Sequence, residues 1–537
     1  MSKQKKQSFL GGAAVLASAV AIVKVIGAIY KIPLGNIIGD EGKAHFTVAY
    51  NIYNLLLTIS TAGLPLAISK LTSEAHALGR ENEKRKLFRT AIWLFFGLGT
   101  VGSLLMFFGA QPLAAFMHDD LAALSIRALA PAVFCVCLLA CMRGYTQGQG
   151  NMTPTAVSQI LEALCKLTIG LSLAWYFLKL GQGVEVSAAG AILGVTVGTI
   201  ASMLFLIYYL MRHRDRTLSE DVPESSGTLM KKVLAIGIPI TLSNSAMSII
   251  TLIDSKIVLG RLATIAPLLE DTPTALYGQY TFGMDLINLP PSFVYPVTMS
   301  LIPFAAAAMA KKDNGEANRI ISSAFRLIAI LAIPAGVGLS VLSGPILMML
   351  YPAQPAAAAA AGPHLRVLGI ACIFICVMTL TNAILQSYGH EQIPIWTMVA
   401  GGITKIVMNY VLVGNPDINI HGAPISTLCC YLVIVVLNLI FVWKYSPEKP
   451  RYLQLFTKPV IASALMGGAA WGVHGLVFRA MSQSHGAFGA NALAVLLGIV
   501  AGVVVYAVLV IALRILRAED LKTIPHGDRL AALLHLK

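Results

Sequence analysis

Apolar residues fall in runs of about twenty along nearly the whole chain, separated by short polar segments. A run of that length crosses a bilayer as a helix, and the pattern predicts about fourteen spans. They cover approximately 9–36, 45–76, 88–109, 121–143, 154–178, 187–211, 229–260, 275–309, 318–342, 364–387, 392–413, 421–443, 458–478 and 488–513. Polar residues inside the runs keep helical spacing. In span 2, Asn51, Asn54, Thr58, Thr61 and Pro65 recur at intervals of three and four, one stripe on one face. Span 8 carries a matching stripe of Asp285, Asn288, Ser292 and Tyr295. Asn244, Thr251 and Asp254 share a face of span 7, Gln159, Glu162 and Lys166 are in register in span 5, and span 11 holds Lys405 and Asn409. Lys24 and Lys31 are seven apart in span 1, two turns and roughly 10 Å along the axis, on one face.

Composition narrows the class. Of 537 residues, 57% are hydrophobic and 12% charged, and the mean hydropathy is +0.75. A soluble chain carries about twice that charged fraction. An ordinary cytosolic enzyme, a disordered chain and a small secreted scaffold are therefore excluded, and the chain reads as an all-α polytopic membrane protein. The net charge of +14 reads as positive-inside bias and not as a nucleic-acid surface. Lys and Arg cluster at the N-terminus (Lys3, Lys5, Lys6) and after spans 2, 6, 8 and 12, while the opposite loops hold Asp40, Glu41, Asp119, Asp120, Glu270, Asp271 and Asp417. Both termini are expected on the cytoplasmic side. The first apolar stretch outruns a signal-peptide core and carries Lys24 and Lys31, so no cleavage is expected there. The tail after Arg517 is mildly amphipathic and reads as a short surface helix.

The chain also repeats itself. At an offset of 239, Arg127 meets Arg366, Cys137 meets Cys376, Gln147 meets Gln386, Gly150 meets Gly389 and Lys166 meets Lys405. At 234, Phe46-Thr47 meets Tyr280-Thr281, Asn51 meets Asp285 and Asn54 meets Asn288. Six spans form each unit, an even number, so the two units share one orientation, a parallel repeat. The expected organisation is a first lobe over 1–226, a second over 227–450, two further spans over 451–517 and a tail over 518–537.

A charge at mid-bilayer costs about 2.5–3.5 kcal/mol on insertion scales, so each needs a reason. No acid in span 1 accompanies Lys24 and Lys31, which call for an aqueous cavity or an anionic ligand. Asn51, Asn54, Thr58, Asp285 and Asn288 are the candidate lining of such a cavity, and Glu162, Lys166, Asn244, Asp254, Lys405 and Asn409 are candidates for coupling or gating. The plainer reading of a single Asn or Thr is an interhelical hydrogen bond of about 0.6 kcal/mol. Glu162 and Lys166, four apart, are placed to neutralise each other. The eight cysteines all lie in apolar runs and read as packing residues; Cys372 and Cys376, one turn apart, have no His or carboxylate nearby in sequence. His390-Glu391 lacks the second His of a zinc protease, and Asp119-Asp120 falls in a short loop. There is no phosphate-binding loop. No metal, no ATP and no enzyme activity are expected; coupling would be to an ion or to the membrane potential.

The run Lys24-Val-Ile-Gly-Ala-Ile-Tyr-Lys-Ile-Pro-Leu, with Ile38-Gly-Asp-Glu-Gly, Tyr50-Asn-Ile-Tyr-Asn-Leu-Leu and Ala62-Gly-Leu-Pro-Leu-Ala-Ile-Ser-Lys, resembles the opening of bacterial polysaccharide-biosynthesis flippases of the stage V sporulation protein B type. Ser158-Gln-Ile-Leu-Glu and Tyr277-Gly-Gln-Tyr with Asn288-Leu-Pro extend the resemblance. These belong to the multidrug/oligosaccharidyl-lipid/polysaccharide exporter superfamily, which includes lipid II flippases of the MurJ kind. The resemblance implies two six-helix lobes around a central cavity. It also implies transport of an undecaprenyl-diphosphate-linked cell-wall precursor, lipid II foremost, across the bacterial cytoplasmic membrane by alternating access. Partners are then the lipid-linked glycan, membrane lipids and cell-wall synthesis machinery, with the protein a monomer. The alternatives are a multidrug or cation antiporter of the same fold, a flippase for another polysaccharide precursor, and a non-transporting scaffold. Lys24 matches a basic position of the family, whereas Leu57 and Thr58 stand where proteobacterial lipid II flippases carry basic residues. Lys405 stands in a span where a sodium-binding relative would carry an acid. If its charge replaces part of that cation's role, transport by Lys405→Ala becomes sodium-dependent; sodium-independent transport by the variant removes the idea.

Overall fold

The structure, a computed structural model, describes residues 9–213, 219–295, 298, 314–446, 449–482 and 486–516. All regular elements among them are helical. The predicted surface helix after Arg517, Lys311, Lys312 and most of span 8 beyond 295 lie outside the described residues.

Helix α1 (Phe9–Thr61) joins the first two predicted spans and bends at Gly39, where φ is 68°. That left-handed conformation costs glycine little and most residues 1–2 kcal/mol. The second span is not continuous, as the apolar pattern suggested. It breaks at Ala62-Gly63 and resumes as α2 (Leu64–Ala77), with Pro65 in the first turn, where its missing N–H is harmless. Next come α3 (Glu81–Phe108), the short α4 (Ala110–Phe116), α5 (Ala123–Gly148), α6 (Thr153–Cys165), a π turn at Lys166–Gly170, α7 (Leu171–Lys179) and α8 (Val184–Arg212). Helices α9 (Ser226–Ile265) and α10 (Pro273–Ile287) follow. The remainder comprises α11 (Asn314–Val341), α12 (Ser343–Leu350), α13 (Pro355–Ser387), α14 (Gln392–Leu412), α15 (Gly422–Tyr445), α16 (Tyr452–Met481) and α17 (Gly486–Ala512). Among the described residues, 11 segments are long and apolar enough to cross a membrane. The first, Ser18–Ala77, holds two predicted spans, and α9 and α10 mark predicted spans 7 and 8, consistent with about fourteen crossings.

The chain forms two compact units, Met1–Ala263 with Thr272–Gly278, and Thr264–Asp271 with Gln279–Lys537. The first extends past the repeat boundary because α9 packs on α1. Asn51 donates to Ser255 (2.7 Å) and Thr58 bonds Ser248 (2.9 Å). Both pairs are seven residues apart on both helices and run in opposite directions, as two antiparallel helices in register require. Gly63 makes the close end of this contact: a Cβ there would lie 2.1 Å from the Gly237 carbonyl oxygen.

The repeat is visible bond by bond. Gly150 and Gly389 both have φ of 77°. Gly150 donates to Gln147 and Asn151 to Thr146, and Gly389 donates to Gln386 and His390 to Leu385, each shifted by the offset found in the sequence. The packing repeats as well: α3 on α5 and α5 on α8 in the first unit, α11 on α13 and α13 on α15 in the second.

The segment that begins at Ser219 is tied to α3. Asp221 accepts the backbone N–H groups of Asn82 (3.0 Å) and Glu83 (2.8 Å), closing the helix start with a carboxylate. Desolvation alone would raise its pKa; the Ser219 hydroxyl and these N–H groups outweigh that and hold it below the ordinary carboxylate range. The folded form therefore gains from the charge at neutral pH and loses that gain as pH falls through the depressed value. Asp221→Asn is expected to lower hydrogen-exchange protection of the α3 first turn at pH 7. The difference from wild type should vanish in strong acid, and equal protection at pH 7 would refute the cap.

Candidate functional site

In the first unit, the straight part of α1 before Gly39 carries Lys24, exposed, and Lys31, half-buried, on one face. Between them in the helix, Tyr30 turns the other way: it is buried and donates to the Ala191 carbonyl of α8 (3.3 Å). Tyr30 forms one wall of an aromatic cage. The Lys166 ammonium lies 4.9 Å from its ring centre, 4.4 Å from that of Tyr50 and 6.0 Å from that of Phe46. It also donates to the Tyr50 hydroxyl (3.4 Å). Cation–π contacts of this kind are worth about 0.5–2 kcal/mol each, more as water is excluded.

Lys166 opens the π turn, a feature that recurs at functional sites. Small residues on α8 let that backbone come close. A Cβ on Gly194 would lie 2.3 Å from Gly170 Cα, and one on Gly198 would lie 2.7 Å from the Glu162 carbonyl oxygen. The expected Glu162–Lys166 neutralisation is corrected here. Glu162 is bonded by Arg143 of α5 (3.1 Å), and Thr199 of α8 donates to its other oxygen (3.5 Å). Arg143 also donates to Ser158 (2.9 Å). A guanidinium meets a carboxylate with directional hydrogen bonds that an ammonium one turn away does not match.

The span 2 stripe is engaged by α9: Asn51 and Thr58 bond Ser255 and Ser248, and Tyr277 adds a bond to Ser255 (2.8 Å). Asn54 is half-buried one turn away, its carbonyl accepting Thr58 (2.7 Å). Asp254 is buried beside Ser255. The side chain of Asn244 lies outside the described residues. One buried pair went unread in the sequence: His45 and Asp119 meet at 2.7 Å with side-chain exposures of 2% and 1%. Asp119, placed by the sequence in a short loop, is interior, because the loop folds its carboxylate onto α1.

In the second unit Asp285 is half-buried on α10, and Asn288 follows where that helix breaks, exposed and donating to the Met284 carbonyl (2.7 Å). Lys405 is half-buried on α14, and Asn409, fully buried, accepts from Ser426 of α15. Tyr280 bonds Thr427 (3.0 Å) near the buried His364, whose ring lies 4.8 Å from that of the exposed His421, two histidines that periodicity gave no reason to single out. Each unit thus gathers its own subset of the predicted residues.

The model of the family described as polysaccharide biosynthesis protein matches residues 9–309, more than half of the chain. The chain belongs to that family. A second family model, MatE, matches 272–411, and both fall in the exporter superfamily that the opening motifs resemble. Among curated proteins of Bacillus subtilis, the chain is 27% identical to membrane protein YabM over 97% of this chain and 95% of that one. It is 25% identical to stage V sporulation protein B, over 98% and 99%, and to lipid II flippase MurJ, over 92% and 94%. The solved structure of lipid II flippase MurJ in an inward closed conformation matches with a TM-score of 0.68 at 16% identity, over 93% of this chain and 99% of that chain, a likeness of fold.

Within this polysaccharide-biosynthesis frame the two units differ at one repeated position set. Arg143, Ser158, Glu162 and Thr199 correspond, at an offset of 239, to Asn382, Thr397, Gly401 and Asn438. Asn438 accepts from Thr397 (2.7 Å) and donates to Asn382 (2.8 Å) and Thr381 (3.0 Å). One unit closes its core with an ion pair, the other with amides and hydroxyls. Glu162→Ala leaves Arg143 without its carboxylate and is expected to destabilise the protein by about 2 kcal/mol, below the buried-pair range because the pair is partly exposed. Arg143→Asn with Glu162→Gly, which copies the second unit, should recover most of that in thermal unfolding. A double variant no more stable than the single one would contradict this account.

Proposed function

We propose that the protein is a flippase that carries an undecaprenyl-diphosphate-linked cell-wall precursor, lipid II foremost, across the bacterial cytoplasmic membrane by alternating access. The observation that carries the reading is the placement of Lys24 and Lys31 on one face of α1 in a chain of this family. A diphosphate cannot enter hydrocarbon alone, and ammonium groups hold it through charge-assisted hydrogen bonds with little demand on angle. Support comes from relatives named stage V sporulation protein B and lipid II flippase MurJ at about 25% identity over nearly full length. Both termini are assigned to the cytoplasm by the Lys and Arg bias.

No nucleotide is needed. An inside-negative potential drives anions outward at about 2.3 kcal/mol per charge per 100 mV. Lys166 lies in the same unit as Lys24 and Lys31, and since Glu162 serves Arg143, its charge is met by rings and a hydroxyl. The partners in this reading are the lipid-linked glycan, bilayer lipids and the cell-wall synthesis machinery, and the protein acts as a monomer. The MatE match favours one alternative, a cation antiporter, for which Asp254, Asp285 and Glu162 would be the acids.

Native mass spectrometry of the full chain with lipid II tests the reading. Wild type should bind, and Lys24→Ala/Lys31→Ala should lose about a hundredfold in affinity, two charge-assisted contacts at roughly 1.5 kcal/mol each. Wild type that ignores lipid II but binds organic cations would favour the antiporter. Equal binding by both proteins would keep the substrate and move the site.

A further inference from the structure

A cavity of about 950 Å³ opens in the second unit where α11 and α16 begin and α17 has just ended. Six basic residues line it: Arg319 and Arg326 from α11, Lys449 and Arg451 from the segment entering α16, Lys458 from its second turn, and Arg514 beyond α17. Its described lining contains no carboxylate. Glu316, one turn before Arg319, pairs with that residue (2.7 Å) and offsets one charge. Neutral groups meet two others: Lys458 donates to the Leu513 carbonyl (2.9 Å), and the Lys449 ammonium lies 3.4 Å from the Trp443 ring centre. Arg326, inside α11, is 9% exposed, an unusual depth for a guanidinium. So many like charges around one concavity concentrate positive potential and attract an anion of high charge.

Backbone donors point the same way. Helices α11 and α16 both start at this cavity, and α16 has no side-chain cap. The repeat sharpens the point. At an offset of 234 the start of α3 corresponds to the start of α11, and α3 is closed by a carboxylate, Asp221. The first unit has a smaller cavity of about 580 Å³ at this position, lined by Arg85, Lys86 and Arg89, and there Asp221 supplies an anion at the helix start, whereas the larger cavity has no carboxylate in its described lining. Leu453, 84% exposed, belongs to the same lining, an apolar side chain beside cations as at a lipid headgroup boundary.

We propose that this cavity is a binding site for a phosphate-bearing polyanion, taken either as the headgroup of an anionic phospholipid or as a soluble polyphosphate. Its volume lies at the upper end of the roughly 300–1,000 Å³ typical of small-ligand sites, room for more than one phosphate. The site lies in the unit that does not contain Lys24 and Lys31, and the inference stands whether or not the protein flips lipid II.

The test is native mass spectrometry of the full chain in detergent with diphosphatidylglycerol, with inorganic pyrophosphate, and with phosphatidylcholine as the zwitterionic blank. Wild type should bind diphosphatidylglycerol or pyrophosphate above the blank, and which of them binds identifies the source. Lys449→Gln/Arg451→Gln/Arg514→Gln should weaken that binding roughly tenfold or more. Arg319→Gln/Lys458→Gln should do the same by a different set of side chains, so that misfolding of one variant leaves the other to decide. Lys70→Gln/Arg212→Gln/Lys231→Gln, a charge-matched change in the first unit, should leave binding intact. The proposal is overturned if wild type binds neither ligand above the blank, or if the cavity variants lose no more than the charge-matched control.

Discussion

Inside a bilayer a polar atom has no water to bond, and each group left without a partner costs several kcal/mol. The backbone meets this constraint by being helical throughout the described spans. Small hydroxyls meet it locally: Thr58, Ser60 and Thr61 each donate to the carbonyl four residues back. A guanidinium, a carboxylate or an amide cannot be satisfied that way, because its donors or acceptors outnumber what one helix turn offers. These groups must reach other helices, and in doing so they select which helices meet. Arg143 and Glu162 join α5 to α6, Thr199 brings in α8, and Asn51 and Thr58 bring α9 onto α1.

The repeat shows that this constraint fixes positions more strictly than it fixes chemistry. Three of the four sites, one in each of α5, α6 and α8 and of α13, α14 and α15, are polar in both units, with Gly401 opposite Glu162, and one set is ionic while the other is neutral. Desolvating an ion pair usually cancels much of its Coulomb gain, so a neutral network of equal connectivity is a comparable solution. The turn at Gly150 and Gly389 shows the opposite case, where geometry leaves little choice of residue. A φ of 77° is open to glycine without strain, and glycine stands at both positions.

Hydropathy made the spans and the all-helical class legible, because bilayer thickness imposes a length that a single chain displays openly, and polar identities recurring at fixed offsets made the repeat legible. Interruptions were less legible. The break at Ala62-Gly63 lies inside an apolar run; Pro65 gives it a local cause, whereas the close approach of Gly237 to Gly63, from a helix about 170 residues away, is encoded by no local pattern. The same limit explains Glu162. Sequence spacing offers Lys166 as its neighbour, whereas the partner it takes, Arg143, reaches it from another helix. The offset of 239 did carry a clue, since it sets Arg143 opposite Asn382 inside the second unit's core. The burial of Asp119 was out of reach for a related reason: its partner, His45, lies 74 residues away on α1.

These partnerships also sort the cations of the first unit into two kinds. Lys166 is fixed: its ammonium is caged by three rings, and its backbone is wedged against the glycines of α8. Lys24 and Lys31 ride on the arm of α1 that precedes Gly39, a residue whose left-handed φ marks where that helix changes direction. For a carrier of a lipid diphosphate the distinction has an electrical consequence. A cation that stays with the scaffold attracts the substrate without cancelling the charge that crosses the field. A cation that travels with the substrate cancels it and removes about 2.3 kcal/mol of drive per charge at 100 mV. On the proposed function, the response of transport to membrane potential therefore depends on whether Lys24 and Lys31 stay with the scaffold, as Lys166 does, or travel with the substrate.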